Sequence, residues 1–230
     1  MTAEVRPDWI AVDWGTSCLR GWAMQGGTAL ARAESPDGMG TLSRDQFEPA
    51  LLRLIGDWLG DHEMTVLCCG MVGSRQGWVE APYHAVPAKP IDAKPVSVPR
   101  GDPRIRAYVL PGLRQNAPAD VMRGEETQIA GFIALNPGWD GVICLPGTHT
   151  KWAEISAGEV VSFQTFMTGE MFALLGQESV LRHSVGSDGW DAVAFVEAIA
   201  DAIARPERLA AQLFSVRARD LLEGTAPAVA

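Results

Sequence analysis

The chain reads as an α/β protein made of two related halves, each built on a mixed sheet. One pattern occurs twice: an apolar strand runs into a Gly-Thr turn, a Trp-bearing strand follows, then a turn and a third strand. Helical periodicity follows each copy. A length of 230 residues, 47% hydrophobic and 20% charged, is ordinary globular composition with room for one or two domains. The repeat favours two, at 1–115 and 116–230, with the ligand between them.

Residues 9–17, closing on Asp13-Trp14-Gly15-Thr16-Ser17, make the first strand and its turn. Residues 19–24 and 29–33 make the next two strands, split by Gln25-Gly26-Gly27. Ser43 and Gln46 form a capping box for a helix that repeats Phe47, Leu51, Leu54, Ile55 and Trp58 at helical spacing. Residues 64–69 form a continuous apolar run, as expected of a buried strand. From 70 to 112 frequent Gly and Pro predict loops with edge strands. Residues 119–135 read as a turn into a helix that buries Ile129, Phe132 and Ile133 and stops at Asn136-Pro137-Gly138.

The second copy starts at Gly141. Its strand ends in Pro146-Gly147-Thr148-His149-Thr150, residues 151–155 are the second strand, and 159–166 the third. Gly15-Thr16 with Arg20 and Trp22 aligns with Gly147-Thr148 followed by Lys151 and Trp152. Three helices complete the reading. One runs from Thr168 to Leu181, and one is capped at Ser187 or Asp188 and packs Val193, Val196, Ile199 and Ile203. The last spans Pro206 to about Leu222.

Nineteen Lys+Arg against 28 Asp+Glu give a net charge of −9, which argues against a nucleic-acid or anionic-membrane surface. Backbone N–H groups and a metal ion can still hold phosphate. No apolar run reaches membrane-helix length, and the first residues lack a signal-type stretch. Cys18, Cys68, Cys69 and Cys144 include no CxxC pair and no zinc spacing, so they read as buried free thiols of a cytoplasmic protein.

A tight Gly-Thr hairpin aims consecutive N–H groups and a hydroxyl at one point, which makes an anion-binding concavity. Two such turns, Gly15-Thr16-Ser17 and Gly147-Thr148-His149-Thr150, suit an oligophosphate. Asp13 beside the first is placed to hold Mg²⁺. Arg20 and Lys151 are the basic residues after each turn, and Lys151 is expected to offset charge on a terminal phosphate.

The arrangement resembles the actin-like ATPase superfamily. Residues 11–17 (AVDWGTS), 70–78 (GMVGSRQGW), 122–128 (MRGEETQ), 145–152 (LPGTHTKW) and 166–170 (FMTGE) further resemble the 2-dehydro-3-deoxygalactonokinase family. The resemblance implies two ribonuclease-H-like domains that close on ATP and Mg²⁺. It also implies phosphorylation of the terminal hydroxyl of a small sugar acid, 2-dehydro-3-deoxy-D-galactonate. Glu125, with Glu126 behind it, takes the place of the carboxylate that accepts the hydroxyl proton. Ser74, Arg75, Gln76 and Trp78 form the sugar-acid loop. There Arg75, or else Arg123, meets the carboxylate, Gln76 reaches hydroxyls and Trp78 walls the carbon chain. Thr168-Gly169-Glu170 reads as a helix cap.

Relatives of this kind continue past the point where the sequence stops, so the second domain is expected to lack its adenosine-binding element. Two other readings share the turns: a phosphohydrolase of the exopolyphosphatase type and a catalytically silent remnant. Oligomeric state, including a homodimer, is left open.

Overall fold

A computed structural model describes residues 5–186 and 189–224. The described residues fall into two compact units. Of these residues, the first unit takes in 5–145 and 151–165, the second 146–150, 166–186 and 189–224. This division falls elsewhere than at residue 115, because strands on both sides of that position share one core inside the first unit.

In the first unit, β1 (Trp9–Trp14), β2 (Leu19–Gln25) and β3 (Thr28–Ser35) form the expected antiparallel meander. Ser43 and Gln46 do make a capping box, ahead of α1 (Phe47–Ile55). The helix buries Phe47, Leu51 and Ile55 completely, at about 1.5–3 kcal/mol for each side chain. β4 (Met64–Gly70) pairs parallel with β1. Two-residue strands β5 (His84–Ala85) and β6 (Val96–Ser97) follow.

The Pro-rich stretch also holds β7 (Ile105–Val109), which lies inside the sheet and not at its edge: the order is β3-β2-β1-β4-β7-β6. Ile105, Ala107 and Val109 alternate into the core while Arg106 and Tyr108 turn away, a period-two signal that the flanking prolines obscure. In β1, Ile10, Val12 and Trp14 face α1, so Trp9, Ala11 and Asp13 face the opposite side of the sheet.

β8 (Leu113–Asn116) and β9 (Ala119–Met122) form a hairpin where a turn was expected, and α2 (Glu125–Leu135) starts only after it. Ile129 of α2 is buried, whereas Phe132 and Ile133 are half-buried. β10 (Gly141–Leu145), β11 (Thr150–Ser156) and β12 (Glu159–Phe166) form the second meander. A core of Leu113, Met122, Ile129, Ala153, Ile155, Val160 and Phe163 joins these elements.

The second unit contains α3 (Thr168–Glu178), α4 (Ala192–Ala204) and α5 (Leu209–Glu223). Asp191 caps α4 through the N–H groups of Val193 and Ala194, while Ser187 and Asp188 lie outside the described residues. Val193, Val196, Ile199 and Ile203, expected to pack, are exposed: their stripe meets no covering element among the described residues. Pro206 opens the turn that leads into α5, and the residues after Gly224 lie outside the described ones. The four cysteines are free, but only Cys68 is buried and Cys144 is exposed. No helix among the described residues is long and apolar enough to cross a membrane.

Candidate active site

Three chain segments meet without side chains between them. Gly70 ends β4 with φ 90°, and Gly124 precedes α2 with φ 105°, a region that disfavours other residues. A Cβ on Gly70 would stand 2.7 Å from the Trp14 carbonyl oxygen and 3.3 Å from Asp13 Oδ1, and one on Gly124 would stand 3.2 Å from Gly70 Cα. The ends of β1 and β4 therefore touch Gly124, the residue before α2. A cavity of about 330 Å³ opens here, lined by Asp13, Trp9, Trp22, Cys69, Gly124 and Thr127 among others.

The two glutamates differ. Glu126 is fully buried. Both its oxygens accept from the Gly124 N–H (2.9 and 2.7 Å), and one also accepts from Thr127 Oγ1. Burial pushes its carboxyl up to about 7. Desolvation of the half-buried Cys69 thiol, followed by the charges of Asp13 and Glu126, pushes it up to about 12. Glu125 is half-buried, and its Oε2 accepts from the Arg123 N–H at 3.0 Å, leaving Oε1 for another partner. Asp13 pairs with Arg20, its register partner on β2, at 3.1 Å, so Arg20 orients the carboxylate.

Arg123 is 8% exposed. Its Nη2 donates to Ala81 O at 2.7 Å, and its guanidinium lies 4.2 Å from the Tyr83 ring centroid. Nε and Nη1 have no partner, and neither does the buried Ser74 Oγ. Gly73 leaves room for Nη1, which would lie 2.7 Å from a Cβ there. A buried cation with two idle donors and no carboxylate bonded to it is matched to a planar anion.

Within the sugar-acid loop, Arg75 is exposed and 3.7 Å from Glu80, and Gln76 is exposed as well. Trp78 stacks on Phe47 with centroids 6.4 Å apart and meets Trp14 edge-on, so its ring belongs to the core of the first unit. Arg44, which sequence reasoning passed over, donates to the Arg75 and Gly77 carbonyls and fixes the loop. Its only signal was a cation in the first turn of a capped helix, which is too common to single out.

The first Gly-Thr turn is closed by Gly15 N–H donating to Cys18 O at 3.0 Å. Thr16 and Ser17 are exposed, and no acceptor among the described residues takes their N–H groups. In the second unit Gly147, Thr148 and His149 are likewise exposed with N–H groups free of acceptors among the described residues. His149 meets Glu170 through its ring, and Thr150 is hydroxyl-bonded to Thr168. Lys151 departs from expectation. It is buried, and its ammonium donates to Val121 O (3.0 Å) and Thr165 Oγ1 (2.8 Å), so it holds β9 and β12 and offers little to a phosphate.

Among the described residues no group of three or more acidic, His or Cys side chains could chelate a metal. A lone carboxylate such as Asp13 still fits Mg²⁺, which commonly binds one or two carboxylates and takes its other ligands from water and phosphate.

Comparison with known proteins gives the family. A family described as 2-keto-3-deoxy-galactonokinase matches residues 13–230. The chain is 39% identical over 228 residues to a probable 2-dehydro-3-deoxygalactonokinase of Rhizobium meliloti (strain 1021), covering 96% of this chain and 74% of that one. It is 36% identical over 223 residues to the 2-dehydro-3-deoxygalactonokinase of Escherichia coli (strain K12), covering 95% and 73%. A crystal structure of a Sinorhizobium meliloti protein assigned as a 2-dehydro-3-deoxygalactonokinase superposes with TM-score 0.88 at 38% identity, over 96% of this chain and 74% of that one.

Proposed function

Because the chain belongs to the 2-keto-3-deoxy-galactonokinase family, we propose that it transfers the γ-phosphoryl group of ATP to the C6 hydroxyl of 2-dehydro-3-deoxy-D-galactonate. The observation that carries the substrate assignment is Arg123, a buried guanidinium with two idle donors, two residues before Glu125 in the chain. One forked edge of the guanidinium, Nη2 with either idle Nε or idle Nη1, takes the carboxylate of the sugar acid while Nη2 keeps its other proton on Ala81 O, a geometry that Arg offers and Lys does not. Arg75, exposed and beside Glu80, is the weaker candidate.

Glu125 is the carboxylate that receives the hydroxyl proton. It keeps one oxygen free, whereas both oxygens of Glu126 are engaged by the backbone. The C6 oxygen forms a bond to the γ-phosphorus, the bond to the β–γ bridging oxygen breaks, and ADP leaves with that electron pair. The transition state is loose, so Glu125 chiefly orients the hydroxyl and takes a proton late. The N–H groups of Thr16, Ser17, Thr148 and His149 offer fixed dipoles to the phosphate oxygens. Asp13, held by Arg20, is the residue to ligate Mg²⁺. The ion, when bound, neutralises charge on the β- and γ-phosphates. The repeated strand–turn–strand pattern supports an actin-like ATPase scaffold, and the free thiols support a cytoplasmic setting.

A coupled ADP-release assay tests the reading. ADP that appears only when the sugar acid is present supports a kinase. Inorganic phosphate released equally well without the sugar acid means hydrolysis and removes the substrate assignment.

A further inference from the structure

The two Gly-Thr turns share more than their sequence. In the first, the Gly15 carbonyl accepts from Met39 N–H and the Thr16 carbonyl from Gly40 N–H, both at 2.9 Å. In the second, the Gly147 carbonyl accepts from Thr168 Oγ1 at 3.4 Å and the Thr148 carbonyl from Glu170 N–H at 3.0 Å. The same two carbonyls are tied from behind in each copy, by segments with no resemblance to one another in sequence.

Each backing segment carries a glycine at the point of closest approach. A Cβ on Gly38 would lie 2.3 Å from Thr16 O, and one on Gly169 would lie 2.7 Å from Gly147 O and 3.0 Å from Thr148 Cα. Neither glycine has φ in the left-handed region, so close packing and not backbone conformation calls for it.

Peptide planarity gives these ties a consequence. A carbonyl and the N–H of the next residue point in opposite directions from one rigid plane. Holding the Gly15 and Thr16 carbonyls inward turns the N–H groups of Thr16 and Ser17 outward. Holding those of Gly147 and Thr148 does the same for Thr148 and His149. These are N–H groups with no acceptor among the described residues.

We propose that Gly38-Met39-Gly40 and Thr168-Gly169-Glu170 are positioning elements that pre-aim the two turns at phosphate by fixing their peptide planes before any ligand arrives. The proposal rests on the reading of both turns as phosphate-binding. Thr168-Gly169-Glu170 thereby has a task beyond opening α3. Pre-aimed dipoles need no reorganisation on binding, so loosening a tie weakens anion affinity without touching the sugar-acid site.

The test uses calorimetric binding of inorganic tripolyphosphate and of ATP to the whole chain, with Mg²⁺. Thr168→Val deletes the tie to the Gly147 carbonyl, together with the hydroxyl bond to Thr150, and keeps the side-chain shape. Gly169→Ala pushes on the turn, although Ala favours the helix that Gly169 occupies. Both variants are expected to weaken tripolyphosphate and ATP binding at least tenfold and to raise the KM for ATP. The KM for the sugar acid is expected to stay within twofold, and Thr168→Ser to recover most of the affinity. If the unaltered chain binds neither tripolyphosphate nor ATP, the phosphate reading itself fails. If it binds both, and Thr168→Val and Gly169→Ala bind within twofold of it, the positioning role is overturned while the phosphate reading stands. Weakening that Thr168→Ser does not relieve, with loss of far-ultraviolet helix signal, also overturns it.

Discussion

Replacing Arg123 by Met separates a binding role from a structural one. An arginine that stabilises its surroundings has its donors filled, and removing one partner of a buried ion pair costs about 3–5 kcal/mol. Arg123 instead leaves Nε and Nη1 unpaired, and each idle buried donor carries a desolvation penalty of about 1–3 kcal/mol that Met does not have. Against that gain stand the hydrogen bond to Ala81 O, about 1.5–3 kcal/mol as a charge-assisted bond, and the contact with Tyr83, about 0.5–2 kcal/mol. The two sides nearly cancel, so ligand-free Arg123→Met should unfold within about 2 kcal/mol of the parent, in either direction. In a chain of 230 residues that is a change in Tm of roughly 4–8 °C at most. Substrate binding should behave differently, because two charge-assisted bonds to a carboxylate at about 1.5–3 kcal/mol each are lost. The KM for the sugar acid should rise by roughly 100-fold or more, at about 1.4 kcal/mol for each tenfold, and Arg75→Ala should raise it by the smaller factor. Urea unfolding and steady-state kinetics on the same preparations decide the matter. A variant destabilised by well over 3 kcal/mol with an unchanged KM would show Arg123 to be a strut and refute the argument.

Two further outcomes follow from the glutamates. Glu125→Gln should lower kcat by about 100-fold or more with KM nearly unchanged. A large loss of affinity with kcat intact would take the proton-accepting role from Glu125. Glu126, raised from 4.5 to about 7, favours its protonated form in the folded chain, so its contribution to stability is full below about 4.5 and is lost as pH rises to about 7 and beyond. Across that window the parent should lose on the order of 3 kcal/mol of stability relative to Glu126→Gln. Parallel Tm–pH curves for the two proteins would show that the buried carboxylate is not perturbed.

Elements with local signals were legible in the sequence. The β1–β3 meander, the Ser43–Gln46 capping box, β4 and the second meander stand where periodicity and turn residues put them. β7 escaped because its alternation spans five residues among prolines, and its burial comes from partners β4 and β6 that no local pattern reveals. Trp78 and Lys151 carry side chains whose chemistry suits a ligand, but stacking on Phe47 and bonding to Val121 O occupy them. Both depend on contacts distant in sequence. The idle donors of Arg123 and the carbonyl ties behind the turns are tertiary facts of the same sort. A sequence can nominate an arginine, but only a structure shows that its donors are unfilled.

The central claim is transfer of phosphate to a carbon-bound hydroxyl, and phosphorus NMR of the reaction of this chain with ATP, Mg²⁺ and 2-dehydro-3-deoxy-D-galactonate addresses it most directly. The account predicts a new phosphomonoester resonance, split into a triplet by the two protons of C6, that grows in step with ADP. Growth of inorganic phosphate alone, with no ester resonance, would contradict it.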